Sequence, residues 1–174
     1  MREVTISVNG RPVTAEIDER TLLVDFVRRT AQLTGTKAGC LEARCGSCSV
    51  HVDGRLIKAC NVLALQCDGT SVTTVEGLTG NSAETTEVSL AHIVGVQEEP
   101  ELTPLQKSFH KHGALQCGYC TPGMLMCLTD LLARCEGPSE EDVRRGLTGN
   151  LCRCTGYQTI VDATLAVAQA DAQE

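Results

Sequence analysis

Apolar and polar positions change period along this chain. Over residues 3–17 the period is two. Val4, Ile6 and Val8 alternate with polar neighbours, and Val13, Ala15 and Ile17 do so again. Asn9-Gly10 between the runs is a two-residue turn signal, so the segment predicts a hairpin. From Leu22 to Leu33 the period lengthens. Leu22, Phe26 and Leu33, with Leu23 and Val27, form one apolar stripe, and Thr21 stands where a helix cap would. Gly35 to Ser47 is irregular. Ser49–Val52 and Leu56–Ala59 predict a second hairpin across Asp53-Gly54, and Val72–Val75 predicts one more short strand. Two hairpins on one helix predict a β-grasp sheet.

After Gly77 the texture changes. Residues 80–102 are acidic and polar around Val88–Val96 and read as a linker, with a short helix near 87–95 its only candidate element. Leu90, Ile93 and Val94 are apolar within that polar stretch, which predicts a surface segment running over a partner. Thr103, Pro104 and Gln106 then give an N-cap, a Pro at the first helical position and a capping-box partner. Leu105, Phe109 and His112 follow, and Gly113 ends that helix. Thr121-Pro122 starts the next, with Met124, Leu128, Leu131 and Cys135 on one face and Gly137-Pro138 as the stop. Ser139 before Glu140, Glu141 and Asp142 starts a third helix, ending at Gly149. A fourth runs over 157–170, with Ile160, Thr164 and Val167 on one stripe. The fold class predicted is α+β: an N-terminal β-grasp domain over 1–77, a linker over 78–102 and a C-terminal four-helix bundle over 103–174.

Composition narrows the chemistry. The chain has 174 residues, a formal net charge of −7, no Trp, two Tyr and two Phe. Nucleic-acid binding calls for a basic face and stacking aromatics, and neither is offered. Eleven cysteines are the unusual feature. The start, Met1-Arg2-Glu3-Val4, has no apolar stretch of the secretory kind, and no segment approaches the ~18 apolar residues of a membrane span. An odd cysteine count also fits poorly with full disulfide pairing. A cytoplasmic protein with reduced or metal-bound thiols is expected.

Spacing sorts the thiols. Cys40, Cys45 and Cys48 give C-x4-C-x2-C, the start of the plant-type [2Fe–2S] pattern, and Cys60 can supply the fourth ligand. Cys117 and Cys120 give C-x2-C, Cys152 and Cys154 give C-x-C, and these make a second group of four. Both pairs of the second group are followed by Thr and then a helix, a faint internal repeat. Each pair is therefore expected at a helix N-terminus, where amides and dipole favour thiolates. Cys67, Cys127 and Cys135 are left over and read as small buried apolar residues.

Structural zinc is the competing use of such quartets. A Gly-containing loop with C-x4-C-x2-C suits a [2Fe–2S] site better, because its amides can point at sulfur. A Rieske centre needs two His ligands, and no His lies beside a cysteine in that pairing. His51, His92, His110 and His112 read as surface or capping residues. No G-x-G-x-x-G follows a strand, so no nucleotide site is expected. No Ser-His-Asp or Cys-His set stands out.

Three segments together carry a resemblance: G-C-L-E-A-R-C-G-S-C at 39–48, A-L-Q-C-G-Y-C-T-P-G at 114–123 and T-G-N-L-C-R-C-T-G-Y at 148–157. They resemble the small iron–sulfur subunit of molybdenum hydroxylases, the family of xanthine oxidase and carbon monoxide dehydrogenase, over almost the whole chain. The resemblance implies a plant-type ferredoxin domain and a four-helix domain, each with one [2Fe–2S] cluster. It implies that Cys40, Cys45, Cys48 and Cys60 hold a distal cluster near FAD in a medium partner subunit. Cys117, Cys120, Cys152 and Cys154 would hold a proximal cluster beside the molybdopterin of a large subunit. Gln116 matches a glutamine that hydrogen-bonds the pterin, and Cys154 is the ligand implied to lie against it. The chain would relay electrons from molybdopterin to FAD, within a dimer of heterotrimers.

Within that frame the helical-domain site is expected on a buried face and the Gly39–Cys48 loop at the surface. Arg153, between two ligands, is either solvated or raises the cluster potential by its charge. Leu41 and Ala43 stand where many eukaryotic members carry glycine, and the 80–102 linker is longer than usual for the family. The competing functions are a free-standing two-cluster ferredoxin and a zinc-stapled interaction module.

Overall fold

In the computed structural model, residues 1–79 and 102–171 are described. The linker's apolar residues Leu90, Ile93 and Val94, the helix expected near 87–95, and His92 all lie outside them.

The first half is a mixed five-stranded sheet with one helix across it. Strands β1 (Arg2–Val8) and β2 (Arg11–Ile17) form the first hairpin. Asn9 and Gly10 turn it with φ of 50° and 81°, the left-handed pair that matches strand twist. Strands β3 (Ser49–Val52) and β4 (Arg55–Lys58) form the second, one residue ahead of the expected 56–59. β5 (Ser71–Thr73) also lies ahead of its predicted span, because Val75 enters a 3-10 turn, Val75–Gly77. The strand order is β2-β1-β5-β3-β4, with β5 parallel to β1 and antiparallel to β3. This is the order of a β-grasp sheet.

Val4, Ile6, Val8, Val50 and Val72 bury one sheet face against Leu23, Val24, Phe26 and Val27. That helix is shorter than its stripe predicted. α1 (Leu23–Asp25) passes directly into a π-helical turn, Phe26–Thr30. Thr21 is not its cap; Leu22 holds that position without any side-chain hydrogen bond. Instead Leu23 N donates to Val62 O at 2.8 Å and Ala64 N to Thr21 O at 2.8 Å. Main chain from a distant segment takes the role expected of a local side chain.

Four α-helices make up the described second half: α2 (Pro104–Lys111), α3 (Thr121–Arg134), α4 (Glu140–Gly146) and α5 (Gln158–Asp171). Thr103 with Gln106, and Ser139 with Asp142, close reciprocal capping boxes at α2 and α4. α4 stops at Gly146 and tightens into a 3-10 turn, Leu147–Gly149, so the α-helix is shorter than predicted. Leu105, Phe109, Met124, Leu128, Val143, Ile160 and Val161 form the shared core. α2 and α4 pack on α5.

The halves are not separate. α3 also packs across β3 and β4, on the face of the sheet opposite Val50. There the Nε2 of His51 is buried without a hydrogen-bond partner, so this residue is not the surface histidine expected. Of the three leftover cysteines, Cys67 and Cys127 are buried as expected, but Cys135 is only half-buried at the end of α3.

Candidate metal centres

The Gly39–Cys48 loop is shaped by its main chain. Leu41 and Ala43 both have φ of 57°, in the left-handed region that few side chains adopt. Glycine would adopt this geometry at both positions without that strain. Left-handed residues alternating with others turn successive N–H groups inward and make an anion-binding concavity. Here its target is sulfur. The N–H groups of Glu42, Arg44 and Cys45 each donate to Cys40 Sγ at 3.4 Å. Ala43 N donates to Cys60 Sγ at 3.3 Å. Led by the Cys45 amide, these donors hold the Cys40 thiol down at about 6. Burial pushes Cys48 up to about 12.

The thiols of this half gather two by two. Cys40 lies beside Cys45, and Cys48 beside Cys60. The helical half repeats the pattern. Cys120 lies beside Cys152, and Cys154 Sγ lies 3.6 Å from Cys117 Sγ. Thr155 donates to Cys152 Sγ through both N, at 3.4 Å, and Oγ1, at 3.1 Å. Burial opposes the Cys152 thiolate, but these bonds together with the Cys154 amide and Cys120 outweigh it and its pKa is lowered. Cys120 is raised to about 12 by burial.

The two groups face a common space. One cavity of about 220 Å³ is lined by Cys40 and Cys45 from the loop and by Cys117, Cys120, Cys152 and Cys154 from the helical half. Arg153 also lines it, and its side chain is exposed.

Two expectations need correction. Only one cysteine pair sits at a helix start: Cys120 caps α3, whereas Cys152 and Cys154 lie in a loop ahead of Gln158. The helical-half site is also not on a buried face of this chain, whereas Gly39, Leu41, Glu42 and Arg44 of the loop are exposed as expected. Cys117 and Cys154 are exposed, Cys40 and Cys45 half-buried, and Cys48 and Cys60 buried. Gln116 is exposed beside Cys117. Thr155 and Tyr157 were not singled out as site residues, although Thr after each cysteine pair was visible in the repeat. Tyr157 Oη accepts from Cys152 N at 2.8 Å and donates to Asn150 O at 3.1 Å, which pins the ligand loop.

These features fit a cluster rather than a single ion. A [2Fe–2S] centre takes two cysteines on each iron, and it gains from hydrogen bonds to sulfur. The paired thiols and inward amides supply both. The fold and site thus define a protein with two [2Fe–2S] domains. Residues 6–70 match the family described as 2Fe-2S iron-sulfur cluster binding domain, and residues 92–165 the one described as [2Fe-2S] binding domain.

The nicotine 6-hydroxylase small subunit of Paenarthrobacter nicotinovorans is 44% identical over 163 residues, covering 94% of this chain and 87% of its own. The xanthine dehydrogenase iron-sulfur-binding subunit of Escherichia coli O157:H7 is 37% identical, covering 93% of this chain and 91% of its own. The crystal structure of quinoline 2-oxidoreductase from Pseudomonas putida 86 superposes with a TM-score of 0.82 at 40% identity, over 99% of this chain and 96% of that one. The chain belongs to the small iron–sulfur subunits of the molybdenum hydroxylases. It is an electron-transfer component, and substrate oxidation takes place in a partner subunit.

Two outcomes follow. Leu41 is 53% exposed and left-handed, so Leu41→Gly relieves strain of about 1–2 kcal/mol against a chain-entropy cost of about 0.5–1. The net is a gain of about 0.5–1 kcal/mol and a higher denaturation midpoint, whereas Leu41→Val lowers the midpoint. Thr155→Val removes the hydroxyl bond to Cys152 while leaving the amide bond. Reduction adds negative charge, so losing about 1 kcal/mol of hydrogen bonding there moves that potential about 40 mV negative in a redox titration.

Proposed function

We propose that this chain relays electrons from the molybdopterin centre of a large subunit to FAD in a medium subunit. Cys117, Cys120, Cys152 and Cys154 hold the proximal cluster, and Cys40, Cys45, Cys48 and Cys60 the distal one. When bound, each cluster accepts and releases one electron. The single observation that carries the reading is the arrangement of eight thiols as two sets of two pairs, both sets bordering one cavity.

The chain's own residues divide the work. The Glu42–Cys45 amides and Thr155 donate hydrogen bonds to sulfur and favour the reduced, more negative state. Cys117 and Cys154 are open at the surface, exposed Tyr119 and Leu151 line the same cavity, and exposed Leu115 precedes Cys117 by two residues. An apolar rim around an open redox site suits burial by a partner. Gln116 then points its amide at the pterin, with Cys154 the ligand against it. This rim favours a subunit over a free-standing ferredoxin. The proposal extends to a ferredoxin domain over 1–77, a linker over 78–102, a four-helix bundle over 103–174, a dimer of heterotrimers and a cytoplasmic location. Among the described residues, no helix is long and apolar enough to cross a membrane.

Purified from its native host, the chain should carry about four iron and negligible zinc. It should co-purify with two larger chains, one containing molybdenum and one flavin. Gln116→Ala should preserve the iron content but weaken retention of the molybdenum-containing chain. Stoichiometric zinc, or a chain that purifies alone with full iron, contradicts the reading.

A further inference from the structure

Between Gly149 and Cys152 the chain crosses the seam between the two cysteine groups. Leu151 N donates to Cys45 O at 2.9 Å. Cys45 belongs to one group, and Leu151 directly precedes Cys152 of the other. One hydrogen bond therefore joins a ligand residue of the first set to the neighbour of a ligand in the second. Electronic coupling falls off more slowly through bonds and hydrogen bonds than across a van der Waals gap.

Asn150 sets that hydrogen bond in place. It is 4% exposed. Its Nδ2 donates to Gly123 O at 3.1 Å, which ties the strap to the first turn of α3. Its Oδ1 lies so close to Gly46 Cα that a Cβ there would collide with it. Its carbonyl accepts from Tyr157 Oη, which in turn accepts from Cys152 N. Lys58 Nζ holds the neighbouring Gly149 O at 2.7 Å from the sheet side. A buried amide is costly without partners, so these bonds select one position for the strap.

We propose that Asn150 is the positioning residue for electron passage between the two cysteine groups, by holding the Leu151 N–H on the Cys45 carbonyl. This rests on the two-cluster reading above. One electron crosses at a time. No bond forms or breaks, and the proton stays on the Leu151 nitrogen. Asn150 acts only through the strap and touches none of the sulfurs by hydrogen bond.

The test uses the intact complex, with Asn150→Ala against wild type. Three readouts serve: amide exchange at Leu151, the magnetic splitting between the EPR signals of the two dithionite-reduced sites, and electron redistribution between the sites after a pulse of methyl viologen radical. Asn150→Ala should keep its iron and both optical signatures. Leu151 exchange should become roughly tenfold faster. The splitting should shrink and redistribution should slow several-fold. Unchanged splitting and redistribution with faster Leu151 exchange overturn the proposal. If Asn150→Ala does not fold or loses iron, Lys58→Met decides: slower redistribution supports the proposal, and an unchanged rate overturns it. A wild-type complex without two reducible iron–sulfur signals instead defeats the two-cluster reading, whatever the variants do.

Discussion

Main chain meets main chain where Gly46 approaches Gly123, and the spacing of the two cysteine groups depends on that contact. A Cβ on Gly123 would strike the Gly46 carbonyl, so neither position has room for a side chain. Gly46 follows Cys45 directly, and Gly123 lies in the first turn of the helix that Cys120 caps. Bringing these glycines together brings the two ligand groups to one cavity. Larger residues would force the halves apart and lengthen the distance an electron must cross. The packing of α3 on β3 and β4 serves the same end. A helix that could have been buried within its own half is shared with the sheet.

The two sites differ in how they are finished. The loop site is the more enclosed: Cys48 and Cys60 are buried, three inward amides donate to Cys40 and one to Cys60. The helical site is left open, with Cys117 and Cys154 at the surface among exposed apolar side chains. Under the proposed relay, the open end is the one a partner would cover.

Much of this was legible in the sequence, because the signals are local. Asn9-Gly10 and Asp53-Gly54 fixed both hairpins, and Thr103 with Gln106 and Ser139 with Asp142 marked two helix starts within a residue. Cysteine spacing suggested two quartets, and the structure sets Cys117 beside Cys154 and Cys120 beside Cys152, pairs that link the two motifs of the second quartet. The misreadings have non-local causes. Thr21 suits a cap, but Leu63–Ala64 main chain pairs with that segment instead. Cys152 and Cys154 resemble a helix-start pair, yet Tyr157, left-handed at φ 71°, delays α5 to Gln158. The exposure of Cys117 and Cys154 is set by tertiary packing, which no local pattern encodes. Asn150 looks like an ordinary loop residue, and its importance comes from glycines about 27 and 100 positions away in sequence.

The central claim is that the eight paired thiols hold two separate [2Fe–2S] clusters. Spin quantitation by EPR tests it most directly. Fully reduced with dithionite, the protein should give two distinguishable S = 1/2 signals that integrate together to two spins per chain. Replacing Cys45 by Ser should perturb one signal and leave the g-values of the other in place. A single signal of one spin per chain, or a reduced protein with none, would contradict the account.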